Sequence, residues 1–231
     1  MKSLFVTGTG TNVGKTCVTA GIVKNLLDMG INVGVMKPFA SGYKKKSKSL
    51  SHDVKILMKY SNSHDPVNLV NPYFFEIPTS PYDASKLLGE KINLQNIIDA
   101  YENLLSIHDL VIVEGIGGLM TPITKDYFVS NLISELDINT IVVTDSKIGA
   151  VNHTLLTNEH CKQMGIKLNG FVINQTEPAG YELSNLKRQI NELTNQIVHC
   201  TIPYHENFDL DLYVNNFTNF VNMSNFGFKD V

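Results

Sequence analysis

Short apolar runs alternate with longer segments of helical periodicity along this chain of 231 residues. The apolar runs show little internal alternation with polar positions, which is typical of strands buried on both faces of a sheet. The predicted strands are Leu4–Thr7, Val33–Lys37, Leu110–Glu114, Thr140–Thr144, Gly170–Ile173 and Ile197–Thr201. The predicted helices are Lys15–Met29, Asp53–Tyr60, Leu94–Ser106, Phe128–Leu136, Val151–Met164 and Glu182–Thr194.

This alternation predicts an α/β fold with a doubly wound, mainly parallel sheet and helices on both faces. The length fits a single domain over residues 1–231, and the sequence shows no internal repeat or linker. Ligands of such sheets bind beyond the carboxyl ends of the strands, so we expect the chemistry at that edge.

Composition narrows the function classes. An apolar content of 43% excludes a disordered chain, and a net charge of −3 argues against non-specific nucleic-acid binding. The three cysteines, Cys17, Cys161 and Cys200, do not form a disulfide framework. No apolar run approaches the roughly 18 residues of a membrane span, and the first run is too short for a signal peptide. These features predict a cytoplasmic protein.

Two segments depart from the strand–helix pattern. Tyr43–Ser51 is basic and polar, and we interpret it as a solvated surface loop, with attraction of an anionic ligand as the alternative. Asn71–Pro81 contains three prolines and three aromatic residues, which is too proline-rich for a central strand. We expect this second segment to be an ordered loop that forms a wall.

A glycine-rich loop, Gly8–Thr16, joins the first predicted strand to the first predicted helix. Backbone N–H groups of such a loop and the amino end of the helix can surround phosphate groups. Lys15 can reach β and γ phosphate oxygens, and the hydroxyl of Thr16 can bind magnesium. Gly8 stands one position earlier than in the usual motif. An ordinary glycine-rich turn would not need Lys-Thr here, so a nucleoside triphosphate site of the P-loop NTPase type is predicted.

Two more strand ends carry charged residues. Glu114 ends an apolar strand and precedes a glycine-rich stretch, which predicts a magnesium-binding carboxylate; a surface acid or helix cap is the alternative. Pro38 holds Lys37 extended at the end of the second strand. This places a cation near the expected γ-phosphate.

Six sequence blocks together resemble the dethiobiotin synthetase family. They follow the order and spacing of that family from residue 3 to about residue 205, and the early Gly8 is also a habit of the family. The blocks are GTGTNVGKT at 8–16, KPFASG at 37–42, NPYFFEIPTSP at 71–81, VEGIGG at 113–118, IGAVNH at 148–153 and VINQTEP at 172–178.

The resemblance implies an ATP-dependent cyclo-ligase of biotin biosynthesis. Such an enzyme converts 7,8-diaminononanoate, CO2 and ATP into dethiobiotin, ADP and phosphate through a carbamate and a carbamic-phosphoric anhydride. It further implies Mg²⁺ as cofactor, ATP as co-substrate, and a homodimer whose active site lies at the subunit interface. Neither nucleic acid nor membrane is an expected partner.

The same resemblance assigns site residues by position. Lys37 and Lys15 are the catalytic residues, and Asn174 reads the adenine base. The metal ligands are Thr16, Asp53 and Glu114, and the substrate-binding residues are Thr11, Lys37, Ser41 and Asn152. The nucleotide-binding residues are Asn12, Val13, Gly14, Lys15, Thr16, Cys17, Asp53, Glu114, Gly115, Ile116, Gly117, Asn174, Gln175, Pro203, Tyr204 and His205. Asn12 stands where some members have Glu, and Gln175 stands where the family often has Asp.

Several alternatives remain open at this point. Asp53 and Asn152 each lie near a predicted helix start, where they could act as N-caps. Cys17 could be a thiol of lowered pKa at a helix amino end, or a small residue packed against the sheet. A dimeric switch ATPase of the partition type shares the expected fold, but those proteins carry an extra lysine at the position of Gly10. An amidoligase of the cobyric-acid kind would normally need a glutamine-hydrolysing domain.

Overall fold

A computed structural model describes residues 3–42, 50–221, 226 and 228 of the chain. Most of the basic segment Tyr43–Ser51 lies outside the described residues, so its interpretation as a loop stays a prediction. The strands are β1 (Ser3–Gly8), β2 (Val33–Met36), β3 (Phe39–Ser41), β4 (Tyr73–Phe75), β5 (Leu110–Gly118), β6 (Asn139–Thr144), β7 (Leu168–Asn174) and β8 (Val198–Ile202).

The helices lie between and after these strands. They are α1 (Lys15–Asp28), α2 (His52–Tyr60), α3 (Val67–Val70), α4 (Pro81–Leu88), α5 (Leu94–Ile107), α6 (Val129–Leu136), α7 (Ala150–Gln163), α8 (Leu183–Thr194) and α9 (Leu210–Asn215), with a 3₁₀ turn at Phe217–Asn219. Within the described residues, no helix is long and apolar enough to cross a bilayer.

The central sheet confirms the predicted fold class. Six strands pair in the order β2-β5-β1-β6-β7-β8, and every neighbouring pair is parallel. Side chains alternate between two hydrophobic clusters on opposite faces, because successive residues of a strand point to opposite sides. In β1, Leu4 and Val6 join the cluster that includes α1, whereas Phe5 joins the cluster that includes α5.

Each of the six predicted strands and six predicted helices overlaps an observed element, with shifts at the ends. The expectation that Asn71–Pro81 is entirely loop is wrong. Tyr73–Phe75 forms β4, which pairs in parallel with β3 in a separate two-stranded sheet. Stacking of Tyr73 on Phe39 and Phe75 explains the strand, since these aromatic rings bury one another beside the main sheet. The prolines lie outside β4, and the segment does not enter the central sheet.

Parallel pairing brings the carboxyl ends of the central strands to one edge. The phosphate loop follows β1, Lys37 follows β2, and Asn174 ends β7. Glu114 lies inside β5 rather than at its end, because β5 continues through the glycine-rich stretch to Gly118. The predicted site residues of the neighbouring strands β2, β5 and β1 therefore meet at this edge, and Asn174 joins them from β7, two strands away from β1.

Candidate active site

The phosphate loop, residues 9–14, depends on one glycine for its shape. Gly14 is the N-cap of α1 and has a φ of 87°, in the left-handed region that favours glycine. A Cβ atom there would clash with Nδ2 of Asn174, so any other residue at this position would displace that amide. The loop is anchored on the sheet, since the N–H of Thr9 donates to the carbonyl of Val143 at 2.9 Å. Asn12, at the exposed tip, also has a positive φ.

Lys15 turns back into this loop. Its Nζ atom donates to the carbonyl oxygen of Gly10 at 2.6 Å, and the side chain is buried. Burial and the nearby charge of Lys37 lower the pKa of Lys15 from 10.5 to about 8, against the opposing effect of nearby carboxylates. Among the described residues no carboxylate pairs with this cation, so the loop holds a positive charge that is ready to meet phosphate oxygens.

Lys37 is the centre of a cluster of charges in which Lys37 and Glu114 are buried and Asp53 is partly exposed. Its Nζ lies 2.5 Å from Oε1 of Glu114 and 3.2 Å from Oδ2 of Asp53, and it donates to the carbonyl of Gly115 at 3.0 Å. Burial alone would lower the pKa of Lys37, but the two carboxylates outweigh that effect and raise it. Lys37 is thus a fixed positive charge at neutral pH.

The predicted metal ligands lie around the same cluster. The hydroxyl of Thr16 donates to Oε1 of Glu114 at 2.9 Å. The carboxylates of Asp53 and Glu114 both pair with the ammonium group of Lys37, which lies between them. Glu114 is fully buried, and its Oε2 atom has no hydrogen-bond partner among the described residues. A buried oxygen without a partner, together with a hydroxyl and a second carboxylate, fits the oxygen ligands that Mg²⁺ prefers.

That set contains two carboxylates only. Over the described part of the chain, no three His, Cys, Asp or Glu side chains are grouped to hold a metal. The alternative that Asp53 caps α2 is wrong. The cap is Ser51, whose hydroxyl accepts from the N–H of Val54 at 3.2 Å, and Asp53 lies in the first turn.

A pocket of about 200 Å³ beside the phosphate loop contains the predicted base-binding residues. It is lined among others by Gly14, Cys17, Asn174, Gln175, Pro203, Tyr204 and His205. Burial raises the pKa of Cys17 to about 12, helped by the charges of Glu114 and Asp53, so the alternative of a thiol with a lowered pKa is wrong.

Hydrogen bonds fix the two amides of this pocket. Asn174 donates from Nδ2 to the carbonyl of Val13 at 3.1 Å, and its Oδ1 accepts from the hydroxyl of Tyr213 at 3.3 Å. Oε1 of Gln175 accepts from the N–H of Tyr204 at 3.2 Å. Sequence reasoning missed Tyr213, because an aromatic residue in a short amphipathic helix carries no local signal of a polar contact.

Two further cavities continue from the base pocket. A cavity of about 420 Å³ is lined by residues of the phosphate loop, Lys37 and Asp53, and shares Gly14 and Cys17 with the base pocket. An open cavity of about 700 Å³ adjoins it. Four predicted site residues line both of these cavities: Thr11, Ser41, Ile116 and Gly117.

Asn152 lies apart from these cavities. It is exposed in the first turn of α7, and the N-cap of that helix is Gly149, with a φ of 101°. The alternative that Asn152 caps the helix is therefore wrong. Within one chain the same helix lines the large cavity through Leu156, Thr157 and His160, so the substrate-binding role of Asn152 stays a prediction.

Comparisons with known proteins agree with this arrangement. A family model described as an AAA domain matches residues 2–210. An ATP-dependent dethiobiotin synthetase BioD of Nitrosopumilus maritimus is 47% identical over 88% of this chain and 90% of its own. A protein of the same name from Caldicellulosiruptor saccharolyticus is 34% identical over 95% of this chain and 92% of its own.

The chain belongs to the dethiobiotin synthetase family. As a member of that family it is an ATP-dependent ligase. Among solved structures, a ParA family ATPase from Chlorobium tepidum has a TM-score of 0.57 at 15% identity, over 94% of this chain and 91% of that one. The MinC:MinD complex of Aquifex aeolicus gives a TM-score of 0.55 at 13% identity, over 94% and 86%. These two likenesses show the fold alone, and the partition-type alternative is not favoured.

Proposed function

We propose that this family member converts 7,8-diaminononanoate, CO2 and ATP into dethiobiotin, ADP and phosphate. One observation carries the proposal beyond the family name. The phosphate-loop cavity opens into a second cavity at Thr11 and Ser41, close to the charge cluster of Lys37. A γ-phosphoryl group in the first cavity would therefore face a small molecule in the second, as transfer between them requires.

The proposed reaction has three steps. One substrate amine adds to CO2 and loses a proton, which gives a carbamate. A carbamate oxygen attacks the γ-phosphorus, and ADP leaves with the electrons of the broken P–O bond. The second amine then attacks the carbonyl carbon of this carbamic-phosphoric anhydride and loses a proton, phosphate leaves with the electrons of the broken C–O bond, and the five-membered ring closes. Because both amines belong to one molecule, this last step can gain up to about 7–11 kcal/mol from proximity.

The residues of the cluster fit the charges of these steps. Lys15 would bind β and γ oxygens when it leaves the carbonyl of Gly10, and Lys37 would face the transferred group. Thr16, Asp53 and Glu114 are the residues that would hold Mg²⁺, which when bound supplies positive charge at the phosphate oxygens. Rigid positioning of these groups matters most, because phosphoryl transfer depends chiefly on geometry and charge stabilisation.

We also propose that the working unit is a homodimer with shared active sites. Three large apolar side chains around the open cavity and the start of α7 are exposed: Ile148 by 79%, Leu156 by 63% and Met120 by 56%. A subunit contact would bury this apolar surface. Residues 148–153 of one subunit would then complete the site of the other, with Asn152 and backbone N–H groups at the carboxylate of the substrate.

Replacement of Lys37 tests the proposed reaction. Lys37→Met keeps the length of the side chain and removes its charge, so we expect ATP binding to persist while dethiobiotin formation is lost. Lys59→Met is the control, because Lys59 is an exposed lysine that pairs with Asp211 outside the site. Near-normal turnover of Lys37→Met would refute the assignment.

Subunit mixing tests the shared site. Lys37→Met chains are mixed with Asn152→Glu chains, each inactive alone. In a symmetric dimer with shared sites, each mixed pair holds one site with both defects and one with neither, so about a quarter of all sites are restored. Mixtures that exchange subunits but stay inactive would show that each site belongs to one chain.

A further inference from the structure

Asn71 opens the Asn-Pro-Tyr motif, which the proposed reaction leaves without a role. The residue lies between α3 and β4 and is 8% exposed. Its Nδ2 atom donates to the carbonyl of Lys37 at 2.6 Å and to the carbonyl of Tyr73 at 3.0 Å. Both hydrogens of the side-chain amide are therefore used, and one of them holds the backbone of the cluster lysine.

The backbone of Lys37 needs such partners because the sheet ends just before it. The ladder between β2 and β5 ends at Met36 and Val113. Beyond that point, the N–H of Lys37 donates to the carbonyl of Val70 at 2.7 Å, and its carbonyl accepts from Asn71. Val70 and Asn71 thus provide the hydrogen bonds to the N–H and the carbonyl of Lys37 that a neighbouring strand would otherwise make.

Asparagine is the residue that suits the two hydrogen bonds to the carbonyls of Lys37 and Tyr73. Aspartate has the same shape but offers no donor when ionised, and serine offers only one hydrogen. The proline after Asn71 restricts that residue to extended conformations, and its φ of −138° and ψ of 81° direct the amide back at Lys37. A buried carbonyl left without a donor would be unfavourable, so the end of β2 would shift if the amide were lost.

We propose that Asn71 is a positioning residue that sets the direction in which Lys37 enters the active site. This proposal rests on the proposed role of Lys37 in the ligase reaction. The side chain of Lys37 reaches Glu114, Asp53 and the carbonyl of Gly115 from a backbone that Asn71 fixes. Loss of the amide should therefore lower kcat through displacement of the ammonium group, without affecting ATP binding.

Two variants and a matched control test the role. Asn71→Asp removes the two amide donors and keeps the shape of the side chain. Asn71→Ala removes the donors without adding a charge, and it tests the role of Asn71 if the aspartate variant fails to fold. In both we expect kcat to fall by about 10²-fold, the loss typical of a misplacement of about 1 Å, with KM for ATP unchanged. Asn25→Asp is the control, since Asn25 is equally buried and donates to the carbonyl of Gly21 at 2.8 Å, outside the site.

A spectroscopic measurement reports on Lys37 without any turnover. In ¹⁵N-lysine NMR spectra, the ammonium signal that is absent from Lys37→Met belongs to Lys37. We expect this signal to shift or broaden in both Asn71 variants and to remain unchanged in Asn25→Asp. An unchanged signal, or a loss of kcat no greater than in Asn25→Asp, would overturn the proposal. If the wild-type protein made no dethiobiotin, the proposed reaction would be wrong and the spectra would still decide the role of Asn71.

Discussion

Replacing Lys15 with methionine should stabilise the nucleotide-free protein at pH 7, although it removes a residue of the ATP site. Burial and the charge of Lys37 lower the pKa of Lys15 from 10.5 to about 8. This lowering of the pKa corresponds to about 3 kcal/mol by which the charged lysine destabilises the folded state. The lost hydrogen bond to Gly10 contributes about 1 kcal/mol in the opposite direction. The free energy of unfolding should therefore rise by about 2 kcal/mol.

The effect should depend on pH. Between pH 8 and 10.5 the unfolded chain binds more protons at Lys15 than the folded chain does, so wild-type stability gains with rising pH. At pH 7 the lysine is charged in both states and the full destabilisation is present. At pH 10 most of the destabilisation is gone, so most of the stability advantage of Lys15→Met should disappear.

Urea unfolding under reducing conditions, followed by circular dichroism at pH 7 and pH 10, measures these differences. Lys59→Met, which changes an exposed lysine, is the control and should leave the stability nearly unchanged at pH 7. ATP should stabilise the wild-type protein and the control, but not Lys15→Met. The reasoning would be refuted if Lys15→Met were less stable than wild type at pH 7. It would also be refuted if the difference in free energy of unfolding between the two proteins were the same at pH 7 and pH 10.

Two further predictions follow from the metal ligands and the base pocket. Asp53→Asn should raise the Mg²⁺ concentration needed for activity. Ser51→Ala should instead lower the free energy of unfolding by about 1 kcal/mol and leave the Mg²⁺ dependence of activity unchanged. Identical Mg²⁺ titration curves for wild type and Asp53→Asn would argue against Asp53 as a metal ligand. Tyr213→Phe removes the hydroxyl that donates to Asn174 and should raise KM for ATP by about 2- to 10-fold, the loss of one hydrogen bond. Steady-state kinetics check this second prediction, and an unchanged KM with an unchanged preference for ATP over GTP would contradict it.

The sequence predicted the elements that have strong local signals. Buried parallel strands are continuous apolar runs, and the residues at their ends are brought together by topology alone. For this reason the sequence places Lys37 and Glu114 at one edge of the sheet, whereas Asn174 is assigned through the family resemblance. The pairing of β3 with β4 could not be predicted, since it depends on aromatic contacts between segments more than thirty residues apart.

The sequence does not predict the residues that fix the orientation of the site side chains. Ser51 rather than Asp53 caps α2, and both residue types favour that position, so local sequence did not distinguish them. The contact of Asn71 with Lys37 and that of Tyr213 with Asn174 join distant parts of the chain. Neither residue belongs to a spacing that chemistry requires, and only the folded arrangement shows what each one holds.

In the proposed reaction, ATP drives closure of a cyclic urea from a diamine and CO2. The most direct measurement supplies 7,8-diaminononanoate, Mg-ATP and ¹³C-bicarbonate, and follows ADP release together with ¹³C NMR of the product. We expect one labelled ureido carbonyl for each ADP, and no ADP release above background when the diamine is omitted. ATP hydrolysis that does not depend on the diamine, or a product without label in its ring carbonyl, would contradict it.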